Sequence, residues 1–141
     1  MAIKNRPEFE KFIRRVEKSS DEFRTSSTEK RHSKQYRTAR ENLAHLVDQD
    51  SFLEFGQFAV AAQRSRRDYE ELQDKTNADG IITGFCSVNS ALVGAENSQA
   101  VAIVYDYSVL AGTQGAFHHL KLDRICDQAK EFELPIVIFT E

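Results

Sequence analysis

The residues best placed to do chemistry lie in the stretch YDYSVLAGTQGAFHHLKLDRI, 105–125. There an apolar strand pattern runs into a small-residue turn, Ala111-Gly-Thr-Gln-Gly115, and straight on into a helical pattern. Gly112 and Gly115 permit unusual backbone angles and strip side chains from the junction. The first N–H groups of the following helix point toward such a junction, a setting suited to a phosphate or another polar group. The turn either reverses the chain or lets a ligand approach bare backbone, and its own residues leave both open. It is neither a Walker A loop, lacking Gly-Lys-Ser/Thr, nor a G-x-G-x-x-G fingerprint.

The other reactive types read more plainly. His118-His119 evokes acid–base or metal chemistry, but neighbours on a helix point about 100° apart. Neither has an acidic or thiol partner at ligand spacing. His118 falls on the apolar face and reads as packed and hydrogen-bonded; His119 reads as exposed. Arg37, Arg40 and Glu41, at i, i+3, i+4, could bind an anion, yet first describe a solvated face with local ion pairs. Arg64-Ser-Arg-Arg67 reads as an exposed loop. Asp106 and Tyr107 sit at a strand end facing the turn, although an aspartate there also closes turns. Cys86 and Cys126 are far apart in apolar patterns, without C-x-x-C or Cys/His metal spacing. They read as reduced core thiols, and no metal site is expected.

The elements that must position these groups follow from periodicity. Pro7 opens a helix with Phe9, Phe12, Ile13 and Val16 on one face, ending near Lys18. Residues 19–32 are polar and aperiodic, a linker or a frayed helix. A helix is expected over 38–47, broken by Asp48-Gln-Asp-Ser51. A short strand is expected at Phe52–Gly56, and a loop with some helical content at 57–77. From Asp79-Gly80 the character is β. Ile81–Val88 is a strand, Ala91–Gly94 a brief return strand, and Gln99–Val104, apolar on both faces, a central strand. His118, Leu122, Ile125, Ala129 and Phe132 mark a helix face. Leu134-Pro135 stops that helix, and Ile136–Phe139 is a second fully apolar strand. Such strands are ordinarily covered on both faces, so the pattern is that of a piece of a larger α/β protein.

At 141 residues the chain suits one domain with a real core. A net charge of −3 gives no reason to expect nucleic-acid binding, although residues 1–50 carry 12 Lys/Arg against 9 Asp/Glu. No apolar run approaches the roughly 20 residues of a membrane span. No signal core opens the chain, so a cytoplasmic location without a membrane partner is expected.

The stretches RTARENLAHLVDQDSFLEFG (37–56), ADGIITGFCSVN (78–89), YDYSVLAGTQGAFHHLKLDRI (105–125) and PIVIFTE (135–141) occur in an order that carries a resemblance. The chain resembles the N-terminal part of the carboxyltransferase domain of biotin-dependent acyl-CoA carboxylases, of the acetyl- and propionyl-CoA carboxylase type. The resemblance implies a partial crotonase-like (ββα) α/β fold. Residues 1–36 would form a helical lead-in, and 37–141 the N-terminal portion of the domain. It further implies an acyl-CoA substrate, carboxybiotin carried on a partner, biotin carboxyl carrier and biotin carboxylase components, and a homo-oligomeric parent. CoA would lie along Val109, Leu110, Ala111, Gly112, Thr113 and Gly115, with Lys121 near its phosphates. The usual Gly-Gly-Ser stands here as Ala111-Gly112-Thr113, and the usual Asn-Gly turn as Asn89-Ser90. The family's oxyanion donors, worth roughly 3 kcal/mol each, are expected beyond Glu141. No catalytic residue is therefore expected within the chain, which alone should be inert. A carboxylase and a decarboxylase of the family both fit. The rival reading is a non-catalytic interaction or scaffold module that docks through its basic N-terminal third.

Overall fold

The computed structural model describes residues 6–140. Three helices lead the chain: α1 (Pro7–Glu17), α2 (Thr25–His32) and α3 (Ala39–Leu46). They are followed by β1 (Leu53–Phe55), α4 (Tyr69–Lys75), β2 (Ile81–Ser87), the single turn α5 (Ser90–Val93), β3 (Gln99–Tyr105), α6 (Ala116–Glu131) and β4 (Ile136–Phe139). The sheet order is β1-β2-β3-β4. β1, β2 and β3 pair antiparallel, whereas β4 pairs parallel to β3 with Val101 opposite Ile136 and Ile103 opposite Ile138. The parallel pair requires a crossover, and α6 supplies it.

Alternation along β2 and β3 divides the core into two layers. Ile81, Val101 and Ile103 face Ile125 and Ala129 of α6. Ile82, Cys86, Ala100, Ala102 and Val104 face Ala39 and Leu43 of α3. Each Val or Ile closed off in this way contributes about 1.5–3 kcal/mol, which is why the QAVAIV run reads apolar on both sides. α3 starts at a reciprocal cap. Thr38 Oγ1 accepts from Glu41 N–H at 3.0 Å, and Thr38 N–H donates back to Glu41 Oε2 at 2.8 Å. Arg40 then ties α3 to β1 through Glu54, with bonds of 2.6 and 3.0 Å.

One expectation changes, and an open alternative is decided. The return strand expected at 91–94 is the helical turn α5. Asp48 accepts from the N–H groups of Asn89 and Ser90 at 3.0 and 2.9 Å, which holds Asn89 left-handed and starts a turn. Leu92 stays exposed, and the strand that returns against β2 is β3 itself. Residues 25–32, inside the stretch left between linker and frayed helix, form α2, which buries no side chain of its own. The lead-in is nevertheless fastened to the sheet domain. Asn77 donates to the Lys18 carbonyl at 2.7 Å, Arg15 donates to Asn77 Oδ1 at 3.1 Å, and Lys18 pairs with Asp74.

Candidate functional site

β3 ends at Tyr105, and Asp106 N–H extends the ladder to the Gly80 carbonyl at 2.8 Å. The Asp106 carboxylate then folds the chain over, accepting from Ser108 N–H at 2.9 Å and from its hydroxyl at 2.5 Å. Its other oxygen accepts from Arg24 at 2.7 Å, and Arg24 reaches Ser108 Oγ as well. The side chains of this ion pair are only 9% and 13% exposed. Asp106 thus closes the turn and clips the α1–α2 connection to it. Val109 is buried as an anchor, and Leu110, Ala111 and Gly112 follow with φ of 49°, 54° and 76°. Three successive left-handed residues, two of them not glycine, form a backbone that its surroundings must hold in place.

A second left-handed run lies behind it. Ala78, Asp79 and Gly80 have φ of 53°, 50° and 76°, and a Cβ on Gly80 would sit 3.4 Å from Val109 Cγ1. Asp79 is buried, and its carboxylate accepts from His118 N–H at 2.9 Å, so it caps α6 from across the fold. Gly115 is required there because a Cβ would meet the Asp79 oxygens at 2.5 and 2.7 Å. The helix start expected to offer its N–H groups to a phosphate therefore already holds a carboxylate of the protein. His118 is buried against the edge of Tyr105, with Nδ1 3.3 Å from the Asp79 carbonyl. Burial lowers its pKa, so the ring is neutral, and the carbonyl contact favours the Nδ1–H tautomer. It packs as expected, while His119 is exposed.

Lys121 also turns inward. Its stem crosses Gly56, where a Cβ would lie 2.8–3.1 Å from it, and its ammonium donates to the carbonyls of Ala78 at 2.9 Å and of Ile81. Desolvation lowers its pKa to about 8. Its charge spans the second left-handed run rather than facing the turn 109–113. Arg40 and Glu41 are likewise consumed, by Glu54 and by the Thr38 cap with His32. In the Arg64–Arg67 run, Arg64 stacks on Tyr69 and Arg67 pairs with Glu71. Cys86 is a buried thiol whose pKa burial pushes up.

On its outer side the turn borders an open cleft of about 580 Å³, whose far wall is α2 and the segment after it. Lys30, Arg31, Lys34 and Tyr36 line that wall, and Tyr107 and Ala111 line the other. Arg31 lies between the two tyrosines, 5.1 Å from the Tyr36 ring centre and 5.8 Å from that of Tyr107, and donates to the Arg37 carbonyl. Among the described residues no carboxylate lines the cleft. Of these residues the sequence singled out only Tyr107 and Ala111. The available signal was the like-charged Lys30/Lys34 pair at i, i+4, which means little until 25–32 is known to be helical. No cluster of three metal-binding side chains exists among the described residues, and no helix among them is long and apolar enough to cross a membrane.

No family model matches the chain. The acetyl-coenzyme A carboxylase carboxyl transferase subunit beta of Clostridium kluyveri is 32% identical over 108 residues. That alignment covers 72% of this chain and 35% of the relative. A single-chain, multi-domain long-chain acyl-CoA carboxylase superposes with a TM-score of 0.92 at 46% identity, over 96% of this chain and 14% of that one. The chain belongs to the carboxyltransferase family of biotin-dependent acyl-CoA carboxylases. Its four-stranded mixed sheet with leading helices is part of that crotonase-like fold. The methylmalonyl-CoA decarboxylase subunit alpha of Veillonella parvula is similar too, 29% identical over 77% of this chain and 19% of its own length. The chain thus spans about a third or less of the length of these carboxyltransferase relatives.

Proposed function

We propose that the chain forms the CoA-ester side of a biotin-dependent acyl-CoA carboxyltransferase. The parent would move a carboxyl group from carboxybiotin to the α-carbon of an acyl-CoA such as acetyl- or propionyl-CoA. Residues 1–36 serve as a lead-in and 37–141 as the N-terminal portion of the transferase domain. CoA runs along Val109–Thr113 and Gly115, where the left-handed Leu110–Gly112 run lets its chain touch backbone. That turn, lining a cationic cleft, is the observation that carries the reading. Carboxybiotin supplies the activated carboxyl group; no residue described here is assigned to it. A biotin carboxyl carrier and a biotin carboxylase would deliver it, to a homo-oligomeric cytoplasmic parent. On this reading the chain binds CoA through that turn. Lys121 supports the turn from behind, through Ala78 and Ile81, rather than meeting phosphate.

The decarboxylase direction is the second reading, favoured by the Veillonella relative. A docking role for the basic lead-in has less support, because Arg15, Lys18 and Arg24 are engaged within the chain.

Calorimetric titration of the chain with CoA tests the reading. Heat saturating below millimolar CoA is expected, weakened at least roughly tenfold by Ala111→Glu, which sets a carboxylate into the cleft. Absence of heat at millimolar CoA, with the chain folded, would refute it.

A further inference from the structure

We infer that the apolar face of α1 is a self-association surface, on which two copies of the chain pair antiparallel about Phe12, with Glu10 of each copy against Arg14 of the other.

The face is there because α1 is amphipathic without a core to fill. Phe9, Phe12, Ile13 and Val16 recur at i, i+3, i+4 and i+7, the spacing of a helix that packs an apolar stripe against a neighbour. Yet no residue of α1 is buried, and none belongs to the core. Phe9, Phe12 and Ile13 remain 52%, 48% and 39% exposed. One flank of the stripe is used, where Phe12 meets the Phe58 ring edge-on at 5.7 Å. The helix is nevertheless fixed in place. Arg15 donates to the Gln73 and Phe58 carbonyls at 3.3 Å and to Asn77, and Lys18 pairs with Asp74. A face held in this way needs little ordering when it meets a partner. An apolar period that reports no burial inside the chain points to burial outside it.

Charge selects the partner. α1 carries three acidic and three basic side chains, so it has no net attraction for an anionic membrane surface. The signs are divided between its ends, with Glu8 and Glu10 in the first turn and Arg14 and Arg15 in the last. The helix dipole favours that division within one helix, and the same division makes the helix complementary to itself reversed. Glu10 and Arg14 stand at i, i+4, where such groups commonly pair. Neither forms an ion pair among the described residues. Both lie two residues from Phe12, so a two-fold axis there brings each Glu10 beside Arg14 of the other copy. The same rotation lays Phe9 along Val16 of the other copy, with Phe12 and Ile13 at the centre. Antiparallel helices pack about 8–10 Å apart, within reach of these side chains. Such a contact is isologous and closes on itself, so it ends at a dimer.

Sedimentation equilibrium of the 141-residue chain tests this. A contact along one 11-residue helix is smaller than a stable interface, so dimers should form on the order of 10–100 µM. Phe9→Glu/Ile13→Glu, folded by circular dichroism, should be monomeric. Glu10→Arg and Arg14→Glu should each weaken the dimer roughly tenfold, because each sets like charges across the axis twice. Mixed in equal amounts, these two variants should recover the dimer, since every pair across the axis is then opposite in sign. A native chain that stays monomeric at near-millimolar concentration would overturn the surface. So would a dimer that survives Phe9→Glu/Ile13→Glu, which would move the contact to another apolar face, such as the exposed Ile136 and Ile138 of β4. Failure of the mixture to recover would overturn the antiparallel pairing. None of these outcomes touches the reading of the turn.

Discussion

The two sides of the 109–115 turn are built on opposite rules. On the inner side every charge is matched within the fold: Asp79 caps α6, and Lys121 bridges the carbonyls of Ala78 and Ile81. On the outer side, Lys30 and Lys34 line a cleft that no carboxylate among the described residues shares, beside two half-exposed tyrosines. A strained turn needs both. Left-handed residues persist only where neighbours over-determine them, so the groups that hold the turn are unavailable to a ligand, and recognition falls to the wall that does not hold it. The helix N-terminus offered by the sequence, and Lys121 offered by the resemblance, both have partners within the fold.

Breaking the seam between the two sides should have the largest effect. Arg24→Ala leaves Asp106 buried without its cation and should cost about 3 kcal/mol, read as a lower urea midpoint. The same variant should weaken CoA binding, since α2 and the turn lose their clip. If stability falls but affinity holds, the two walls are positioned independently and the contrast drawn here fails.

The inner side is then separable by pH. Lys121 has its pKa lowered to about 8 in the folded chain from 10.5. Folding therefore disfavours its charged form, and the penalty is present in full below pH 8. Between pH 8 and 10.5 the unfolded chain holds the extra proton, so stability rises with pH by up to about 3 kcal/mol. Lys121→Met should remove this rise, measured as the difference between the two urea stability profiles over that window. Identical profiles would mean that the ammonium is solvated, and that the inner side is not closed.

The outer side should show the smallest effect on stability. Lys30→Ala/Lys34→Ala should leave the urea midpoint within about 0.5 kcal/mol of the native value while weakening CoA binding. A larger loss would make the lysines structural and put them on the same footing as Lys121.

Much of this fold was legible because periodicity reports burial. The apolar runs of β2 and β3 follow from strands covered on both faces, by α3 on one side and α6 on the other, and the apolar spacing of Ala39, Leu43 and Leu46 marks α3. Ala91–Gly94 was misread because nothing local announces that Asp48, some forty residues away, fixes the amides of Asn89 and Ser90. The bare turn was legible from Gly112 and Gly115, but its partners were not. Asp79 reads as half of an Asp-Gly turn, and its role depends on a helix that begins at Ala116. Lys121 was placed near CoA phosphates by the resemblance, and no pattern reveals that Gly56 makes room for its stem. α2 was obscure for the opposite reason: a helix that buries nothing leaves no apolar period to find.

That last feature has a kinetic consequence. Eight residues with no buried side chain and no side-chain N-cap lie at the weak end of any ladder of local unfolding. The amides of α2 should exchange with deuterium long before those of β3. Each opening dismantles one wall of the cleft and leaves the turn intact. Affinity for an anion is then the intrinsic affinity reduced by the fraction of time the wall is open. Warming should release the ligand well before it melts the sheet.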